Sequence, residues 1–234
     1  MPSQNFILDA LSPADYEWLR PLLTEVQLQQ SEVIYEFDEQ ITAVYFPTTC
    51  LFSLITLTAQ GDRVEVGVTS YEGMVGLPLS QGEDRSPLRV EVQLSGKALK
   101  LSSKDFLAAI DRSSTLRQRI ANFTHLRIVQ LAQSALCNRF HTVEERLCRW
   151  LLAAQDRAET SEFSLTREIL AEMIGAGRPS VSIVSGTLQT AGLIQSDRGK
   201  ITILNREEME EAACECYRIA KTAFDRYLAK QIQP

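Results

Sequence analysis

The pattern of hydrophobic and polar positions changes character near Ser102. Before that point, short stretches such as Arg63–Val68 and Arg89–Leu94 alternate polar and apolar residues. Turn residues separate them, for example at Gly82–Asp84 and at Ser95-Gly96. Strict alternation between turns is typical of strands that are buried on one side. The first half of the chain is therefore predicted to be an antiparallel sandwich or barrel.

Beyond Ser102 the spacing becomes helical. No glycine or proline occurs from Ser113 to Phe140, and apolar residues recur three and four positions apart. The pattern predicts one helix of about 27 residues, roughly 40 Å long. Arg127, Gln130 and Ser134 interrupt its apolar seam. Two arrangements stay open: the helix packs against the strands, or it pairs with a second copy of itself.

A second helix is predicted over Val143–Gln155, followed by a polar linker, Asp156–Glu162. Ser164–Gly175 then predicts a helix with Ser164 or Thr166 as N-cap, ended by Gly175-Ala176-Gly177. Pro179 fits the start of the next helix, which stops at Gly192. One face of this last helix carries Val181, Val184 and Leu188. The opposite face carries small polar residues, namely Ser180, Ser182, Ser185, Thr187 and Gln189.

The residues that follow predict a strand, a turn and a strand over Leu193–Leu204, with a basic tip at Asp197–Lys200. Two short helices joined by a glycine-containing turn form a helix-turn-helix, and the hairpin adds a wing. Small hydroxyl and amide groups on the second helix suit base edges and phosphates. The alternative is a helical hairpin packed in an α+β enzyme, with the polar face merely solvated.

The order of these parts resembles the Crp/Fnr superfamily of bacterial transcription regulators, and residues 165–207 are similar to its DNA-binding signature. The resemblance implies an α+β fold with an N-terminal β jelly-roll sensor domain over 1–111. It also implies a long dimerisation helix over 112–141 and a winged helix-turn-helix over 142–234. A cytoplasmic homodimer would read an inverted-repeat operator in double-stranded DNA. A small-molecule effector and RNA polymerase would be further partners.

Carried over position by position, the resemblance assigns DNA contact to the start of the first helix, the recognition helix and the wing. Arg178 matches the family's DNA-contacting arginine, whereas Pro179 replaces a base-reading glutamate and Ile183 a later arginine. A different operator from that of the best-known members is therefore expected. The predicted DNA-binding residues are Thr166, Arg167, Arg178, Pro179, Ser180, Ser182, Thr187, Gln189, Arg198 and Lys200.

The family's phosphate cassette can be placed only in part. Gly76, Arg85 and Ser86 fit it and are the candidate effector-binding residues, but Leu77 stands where a glutamate holds the ribose and Pro87 replaces an alanine. Loss of that acid leaves a sugar hydroxyl without its partner, so tight cyclic AMP binding is not expected. Arg85 could instead pair with Glu83 or Asp84. Two further alternatives are a constitutive DNA binder with a structural sensor domain, and an effector- or partner-binding module that no longer binds DNA.

Composition and charge change this picture little. The 234 residues carry a net charge of −6, with 16 acidic and 7 basic side chains before residue 112 and a weakly basic segment, net +2, over 164–206. We expect no signal peptide, no membrane segment and five reduced cysteines. No catalytic motif, cofactor or metal site is predicted. Cys214 and Cys216 would point apart on a helix, and His125 and His141 lie outside any sequence cluster.

Overall fold

The computed structural model describes residues 3–158, 160–197 and 199–229, which divide into two compact units. The described part of the first unit covers residues 3–55, 68–128 and 224–229. That of the second covers 56–67, 129–158, 160–197 and 199–223. The boundary between the units cuts two long helices, after residues 128 and 223, and one hairpin, after residue 55 and before residue 68. The domain boundaries expected after residues 111 and 141 stay a prediction.

The first unit is built mainly from strands. Its strands are β1 (Thr24–Leu28), β2 (Val33–Tyr35), β3 (Ala43–Pro47), β4 (Leu51–Leu57), β5 (Arg63–Thr69), β6 (Arg89–Leu94) and β7 (Gly96–Ser102). Its helices are α1 (Phe6–Asp9), α2 (Pro13–Leu19) and α3 (Ser103–Arg112), with 3₁₀ turns at Arg20–Leu22 and Leu77–Gln81. One sheet has the order β1-β7-β3 and the other β2-β6-β4-β5. The outer end of the β4–β5 hairpin, residues 56–67, belongs to the second unit.

Aromatic side chains fill the core of the first unit. The rings of Tyr45 on β3 and Phe52 on β4 meet edge to face at 6.4 Å between centroids, which joins the two sheets. Phe46 and Phe106 are fully buried and join β3 to α3 at the same centroid distance. The alternating apolar residues of the sequence therefore close into two packed antiparallel layers, and the predicted α+β class is confirmed.

The long helix α4 spans Ser114–Phe140. Phe123 on this helix is fully buried, and a Cβ on Gly73 would lie 2.1 Å from its ring, so only glycine fits there. The ring of Tyr227 lies 6.2 Å from that of Phe123, and its hydroxyl donates to the carbonyl oxygen of Glu72 at 2.9 Å. The first half of α4 is thus packed tightly against the first unit.

The polar residues that interrupt the seam of α4 are themselves buried on the same face. The Arg127 guanidinium donates to the Val68 carbonyl oxygen at 3.0 Å and to the Thr69 hydroxyl. The buried face comprises Leu116, Ile120, Phe123, Leu126, Arg127, Gln130, Ser134 and Cys137. The opposite face holds a second stripe that is exposed or half-buried in the single chain and consists of Ala121, Thr124, Ile128, Leu131 and Ala135. One face of α4 therefore packs within the protein, and the other leaves room for pairing with a second copy.

In its described residues, the second unit continues from α4 with five helices and a small sheet. Its helices are α5 (Val143–Ala158), α6 (Arg167–Met173), α7 (Arg178–Thr190), α8 (Arg206–Ala212) and α9 (Glu215–Ala229). Its strands are β8 (Glu162–Ser164), β9 (Ile194–Asp197) and β10 (Lys200–Ile203), in the order β8-β10-β9. The polar linker expected over Asp156–Glu162 is wrong at both ends, because α5 continues to Ala158 and Glu162 begins a strand.

A charged network ties α5, α8 and α9 together. The Arg206 guanidinium donates to Asp156 at 2.7 Å, to Gln155 at 2.7 Å and to the Tyr217 hydroxyl at 2.5 Å. Tyr217 in turn donates to the second oxygen of Asp156 at 3.0 Å. Such a connected set holds three helices at fixed angles around the helix-turn-helix.

The expectation that the cysteines and histidines lie apart is wrong for one group. Cys214 precedes α9 and is not part of it, so the helical angle between Cys214 and Cys216 does not apply. Cys137, His141, Cys214 and Cys216 instead come together in the second unit.

Within the described residues, no helix is both long and apolar enough to span a membrane.

Candidate nucleic-acid interface

The helix-turn-helix consists of α6 and α7 joined by residues 174–177. Of the two candidate N-caps, Thr166 takes the position, and its hydroxyl accepts a hydrogen bond from the Ile169 N–H at 3.3 Å. Gly175 has a φ of +58° in the turn, a conformation that glycine adopts without strain. Pro179 lies in the first turn of α7, where no intrahelical N–H is needed. The predicted motif is present with the predicted turn chemistry.

Small and aliphatic residues hold α7 against its neighbours. Val181 and Leu188 on α7 are buried, as is Ala171 on α6. The Ala176 N–H donates to the carbonyl oxygen of Ala171 at 2.9 Å, which closes the turn. One side of α7 is therefore fixed, and the other is left bare.

The bare side begins at the N-terminus of α7. Arg178, Pro179 and Ser180 are exposed, Ser182 is half-buried, and Ile183 exposes 71% of its surface. Recognition helices contact base edges mostly through their N-terminal residues. The donors that the sequence assigned to DNA contact thus stand where such a helix would meet a groove.

Ser185 does not belong to this exposed set, and its assignment to the polar face is wrong. It follows Val181 by four residues and precedes Leu188 by three, so it lies on the buried side of α7, with 1% of its surface exposed. Its hydroxyl oxygen has no hydrogen-bond partner among the described residues.

Two other predicted contact residues already have partners. The Thr187 hydroxyl donates to the Ile183 carbonyl oxygen at 3.3 Å, within α7. The side-chain oxygen of Gln189 accepts from the Ser196 N–H of β9 at 3.0 Å. Both residues are exposed, but these bonds tie them to the winged domain itself.

The wing is the β9–β10 hairpin, in which Asp197 pairs with Lys200. A Cβ on Gly199 would lie 3.9 Å from the Thr166 methyl group, so the wing tip stands beside the start of α6. Thr166, Arg167 and Lys200 are therefore presented along one edge. Arg198, also predicted to contact DNA, lies outside the described residues.

Glutamates accompany two of the predicted cationic contacts. Arg178 Nε lies 2.7 Å from Glu168 Oε1, and Lys200 Nζ lies 2.8 Å from Glu162 Oε1. The Glu168 backbone N–H, the Thr166 hydroxyl and the guanidinium groups of Arg178 and Arg167 lower the pKa of the Glu168 carboxyl. All four paired side chains remain more than half exposed, so each pair is weak and can be replaced by phosphate.

The tip of the β4–β5 hairpin contacts the helix-turn-helix, which the sequence did not reveal. Arg63 Nη1 lies 3.3 Å from Glu172 Oε2 on α6. A Cβ on Gly175 would lie 3.0 Å from Val64 Cγ2. The Trp150 indole donates to Glu65 at 2.7 Å. The hairpin therefore touches the turn that positions α7.

Of the candidate effector residues, Arg85 and Ser86 form hydrogen bonds with neighbouring groups of the protein. Gly76 has a φ of +92°. Arg85 is exposed and donates to the Asp38 carbonyl oxygen at 2.5 Å, with the Asp38 carboxylate 3.6 Å away. The loop partner of Arg85 is thus Asp38, in place of the predicted Glu83 or Asp84. The buried Ser86 donates its hydroxyl to the Leu88 carbonyl oxygen at 2.6 Å.

Comparison with known proteins supports this assignment. Residues 145–212 match the Crp-like helix-turn-helix domain family. The chain therefore contains a Crp-like helix-turn-helix domain. The matched residues include the helix-turn-helix and the wing described above. No curated protein matches the sequence significantly.

Solved structures share the fold at low identity. FixK2 from Bradyrhizobium japonicum is 20% identical with a TM-score of 0.71, over 82% of this chain and 98% of its own. The c-di-GMP-responsive global regulator CLP from Xanthomonas campestris is 14% identical with a TM-score of 0.69, over 83% and 100%. The CRP-family transcriptional regulator TTHB099 from Thermus thermophilus is 16% identical with a TM-score of 0.69, over 80% and 96%.

The two serines of α7 give a matched test of which side faces DNA, since both lose only a hydroxyl on mutation to alanine. Ser182→Ala removes a donor from the bare side, so we expect DNA affinity to fall about fivefold, the value of one neutral hydrogen bond. Ser185→Ala removes a buried hydroxyl without a partner, so affinity should stay unchanged and the free energy of unfolding should rise by up to about 1 kcal/mol. Fluorescence anisotropy with a labelled duplex and urea unfolding measure the two quantities. Loss of DNA binding in Ser185→Ala alone would contradict the orientation of α7.

Proposed function

We propose that this protein is a dimeric, sequence-specific DNA-binding regulator whose sensor-like domain does not bind cyclic AMP tightly. The observation that carries the proposal is the bare N-terminal side of α7, held in place by Val181 and Leu188. It projects donors at the position where a recognition helix enters the major groove.

The chemistry of α7 suits a particular mode of reading. Arg178 is the cation at the start of the helix, and arginine makes the commonest specific contact, to guanine. Ser180 and Ser182 offer hydroxyl groups to bases or phosphates. The exposed Ile183 is apolar and complements the thymine methyl group. Pro179 brings no acid to the groove, so the operator should differ from that of regulators with a glutamate at this place.

The exposed stripe of α4 supports a homodimer. Ile128 exposes 58% and Leu131 36% of their surfaces in the single chain. With Ala121, Thr124 and Ala135 they form a three- and four-residue repeat of small and apolar side chains, the pattern by which two helices pair. Two-fold pairing would place two recognition helices for half-sites about 34 Å apart, and hence for an inverted-repeat operator.

The effector cassette supports independence from cyclic AMP. Leu77 supplies no carboxylate for a ribose hydroxyl, and Arg85 is engaged by Asp38 on the surface. An effector of another kind, and contact with RNA polymerase, stay predictions of the family resemblance.

The first test is selection of bound fragments from sheared genomic DNA by the purified protein at near-physiological salt, with and without cyclic AMP. We expect a shared inverted repeat under both conditions, because the bare side of α7 needs no nucleotide to form. Recovery without any added ligand favours a constitutive binder with a structural sensor domain. Recovery only with cyclic AMP would show that the cassette functions, and no enrichment in either condition would count against DNA reading.

Substitutions at the Arg178–Glu168 pair should change affinity in opposite directions. Arg178→Ala should weaken binding to the selected operator by about 1–3 kcal/mol, or roughly 5- to 150-fold. Glu168→Gln frees the guanidinium and should strengthen binding by up to about fivefold, since exposed ion pairs contribute about 0.2–1 kcal/mol. Titrations by anisotropy at several salt concentrations measure both, with Arg226→Ala, an exposed arginine on α9, as the control. Equal affinity of Arg178→Ala and Arg226→Ala would remove Arg178 from the interface.

Charge on the α4 stripe should break the dimer. Ile128→Glu places a carboxylate in the proposed seam, so we expect a monomer whose operator affinity is lower by more than about tenfold, because a single module reads one half-site. Leu107→Glu on α3, also an exposed apolar position, is the matched control and should remain dimeric. Sedimentation velocity determines the mass of each variant. A monomeric wild type, or an Ile128→Glu dimer, would exclude this stripe as the interface.

A further inference from the structure

Among the described residues, four side chains with metal-binding atoms converge in the second unit. Cys137 lies on α4, and His141 follows it by four residues; the His141 N–H donates to the Cys137 carbonyl oxygen at 3.1 Å, so the helical turn continues. Residues four apart on a turn share a face. Cys214 stands directly before α9 and Cys216 in its first turn.

The four ligand atoms, three Sγ and one imidazole nitrogen, all lie within 4.8 Å of one another. Cys137 Sγ is 3.5 Å from Cys214 Sγ, and Cys216 Sγ is 3.6 Å from His141 Nδ1. A tetrahedral zinc ion with bonds of about 2.3 Å to sulfur and 2.0–2.1 Å to nitrogen requires edges of about 3.8 Å and 3.5 Å. These two separations are thus close to the edges of a zinc tetrahedron.

The other imidazole nitrogen of His141, Nε2, faces a carboxylate. His141 Nε2 lies 3.3 Å from Glu215 Oε2. A carboxylate that accepts the Nε2–H leaves the lone pair on Nδ1, directed at the thiols, and fixes the ring. This arrangement is the usual environment of a histidine that binds zinc through one nitrogen.

Burial and charge agree with a closed site. Cys137, Cys214 and Cys216 are buried free thiols, and the His141 side chain is only 12% exposed. Three thiolates and one Zn²⁺ carry a net charge of −1, and the guanidinium of Arg149 interacts with Cys137. Four protein ligands leave no open position, which is typical of structural zinc and not of catalytic zinc.

We propose that Cys137, His141, Cys214 and Cys216 bind one zinc ion, which clamps the start of α9 to the end of α4. An iron–sulfur cluster places its ligand sulfurs on different iron atoms. Ligands of one such cluster cannot all approach within 4.8 Å, so the geometry points to a single metal ion. Cysteine-rich tetrahedral sets favour zinc over the harder divalent cations.

The test is the metal content of the full-length protein, purified without a metal-binding tag and measured by plasma mass spectrometry. We expect about one zinc ion per chain in the wild type, and less than about a tenth of that in Cys216→Ser. Cys148→Ser is the matched control, because Cys148 is a buried cysteine of the same unit outside the ligand set, and it should retain the zinc. Chelator should lower the melting temperature of the wild type and leave that of Cys216→Ser unchanged.

A second measurement covers the case in which Cys216→Ser fails to fold. Wild-type protein stripped of metal and titrated with Co²⁺ should give the visible bands of tetrahedral cobalt and thiolate-to-cobalt charge transfer, saturating at about one equivalent, and zinc should displace them. Wild-type protein without zinc and without those cobalt bands would overturn the proposal. Purification with stoichiometric iron, or zinc retained in folded Cys216→Ser, would do the same.

Discussion

The DNA-binding half of this protein depends on the burial of Val181 and Leu188 beneath α7. A helix can present donors to a groove only if its opposite side is fixed, since rotation about the helix axis would turn Arg178 and Ser182 away from the groove in which we propose that they bind. Burying two aliphatic side chains of this size contributes about 1.5–3 kcal/mol each. The closing bond from Ala176 to Ala171 and the left-handed Gly175 set the angle at which α7 leaves α6. Ser185 lies on the same side and shows the cost of that geometry, a buried hydroxyl without a partner among the described residues.

Electrostatics works against non-specific binding here. The chain is acidic overall, and Arg178 and Lys200 each contact a glutamate at 2.7–2.8 Å. In the proposed complex a phosphate would have to displace these carboxylates, so part of the charge attraction to DNA would be offset by the loss of the ion pairs. A surface whose cations are paired in this way relies more on base contact and on shape for its affinity. In the proposed dimer, two-fold pairing along α4 would offset this weakness, because two modules would then bind together.

The sequence predicted what local chemistry determines. The N-cap Thr166, the turn glycine Gly175, Pro179 and the wing hairpin all follow from neighbouring residues, and the structure contains them. Contacts between residues far apart in the sequence could not be predicted. Glu162 pairs as a strand only because β10 is present, and Val64 meets Gly175 across more than a hundred positions. The sequence pattern assigned Ser185 to the exposed face of α7 because residue type alone does not distinguish a buried serine from an exposed one. The convergence of Cys137 with Cys214 required the path of the chain between them.

The proposed metal site and the proposed pairing stripe lie on different faces of α4. Cys137 continues the buried row of Phe123, Arg127, Gln130 and Ser134, whereas Ile128 and Leu131 lie on the other side. A metal ion held by Cys137 and His141 would therefore leave the pairing stripe free. It would also stiffen the last turn of α4, which would otherwise fray because the final carbonyl groups of a helix lack partners. Since α5 begins at Val143, two residues after His141, stiffness at this point passes directly to the helix that supports the recognition helix. If both proposals hold, loss of the ion would loosen that support and leave the pairing stripe unchanged, so metal content and pairing would vary independently.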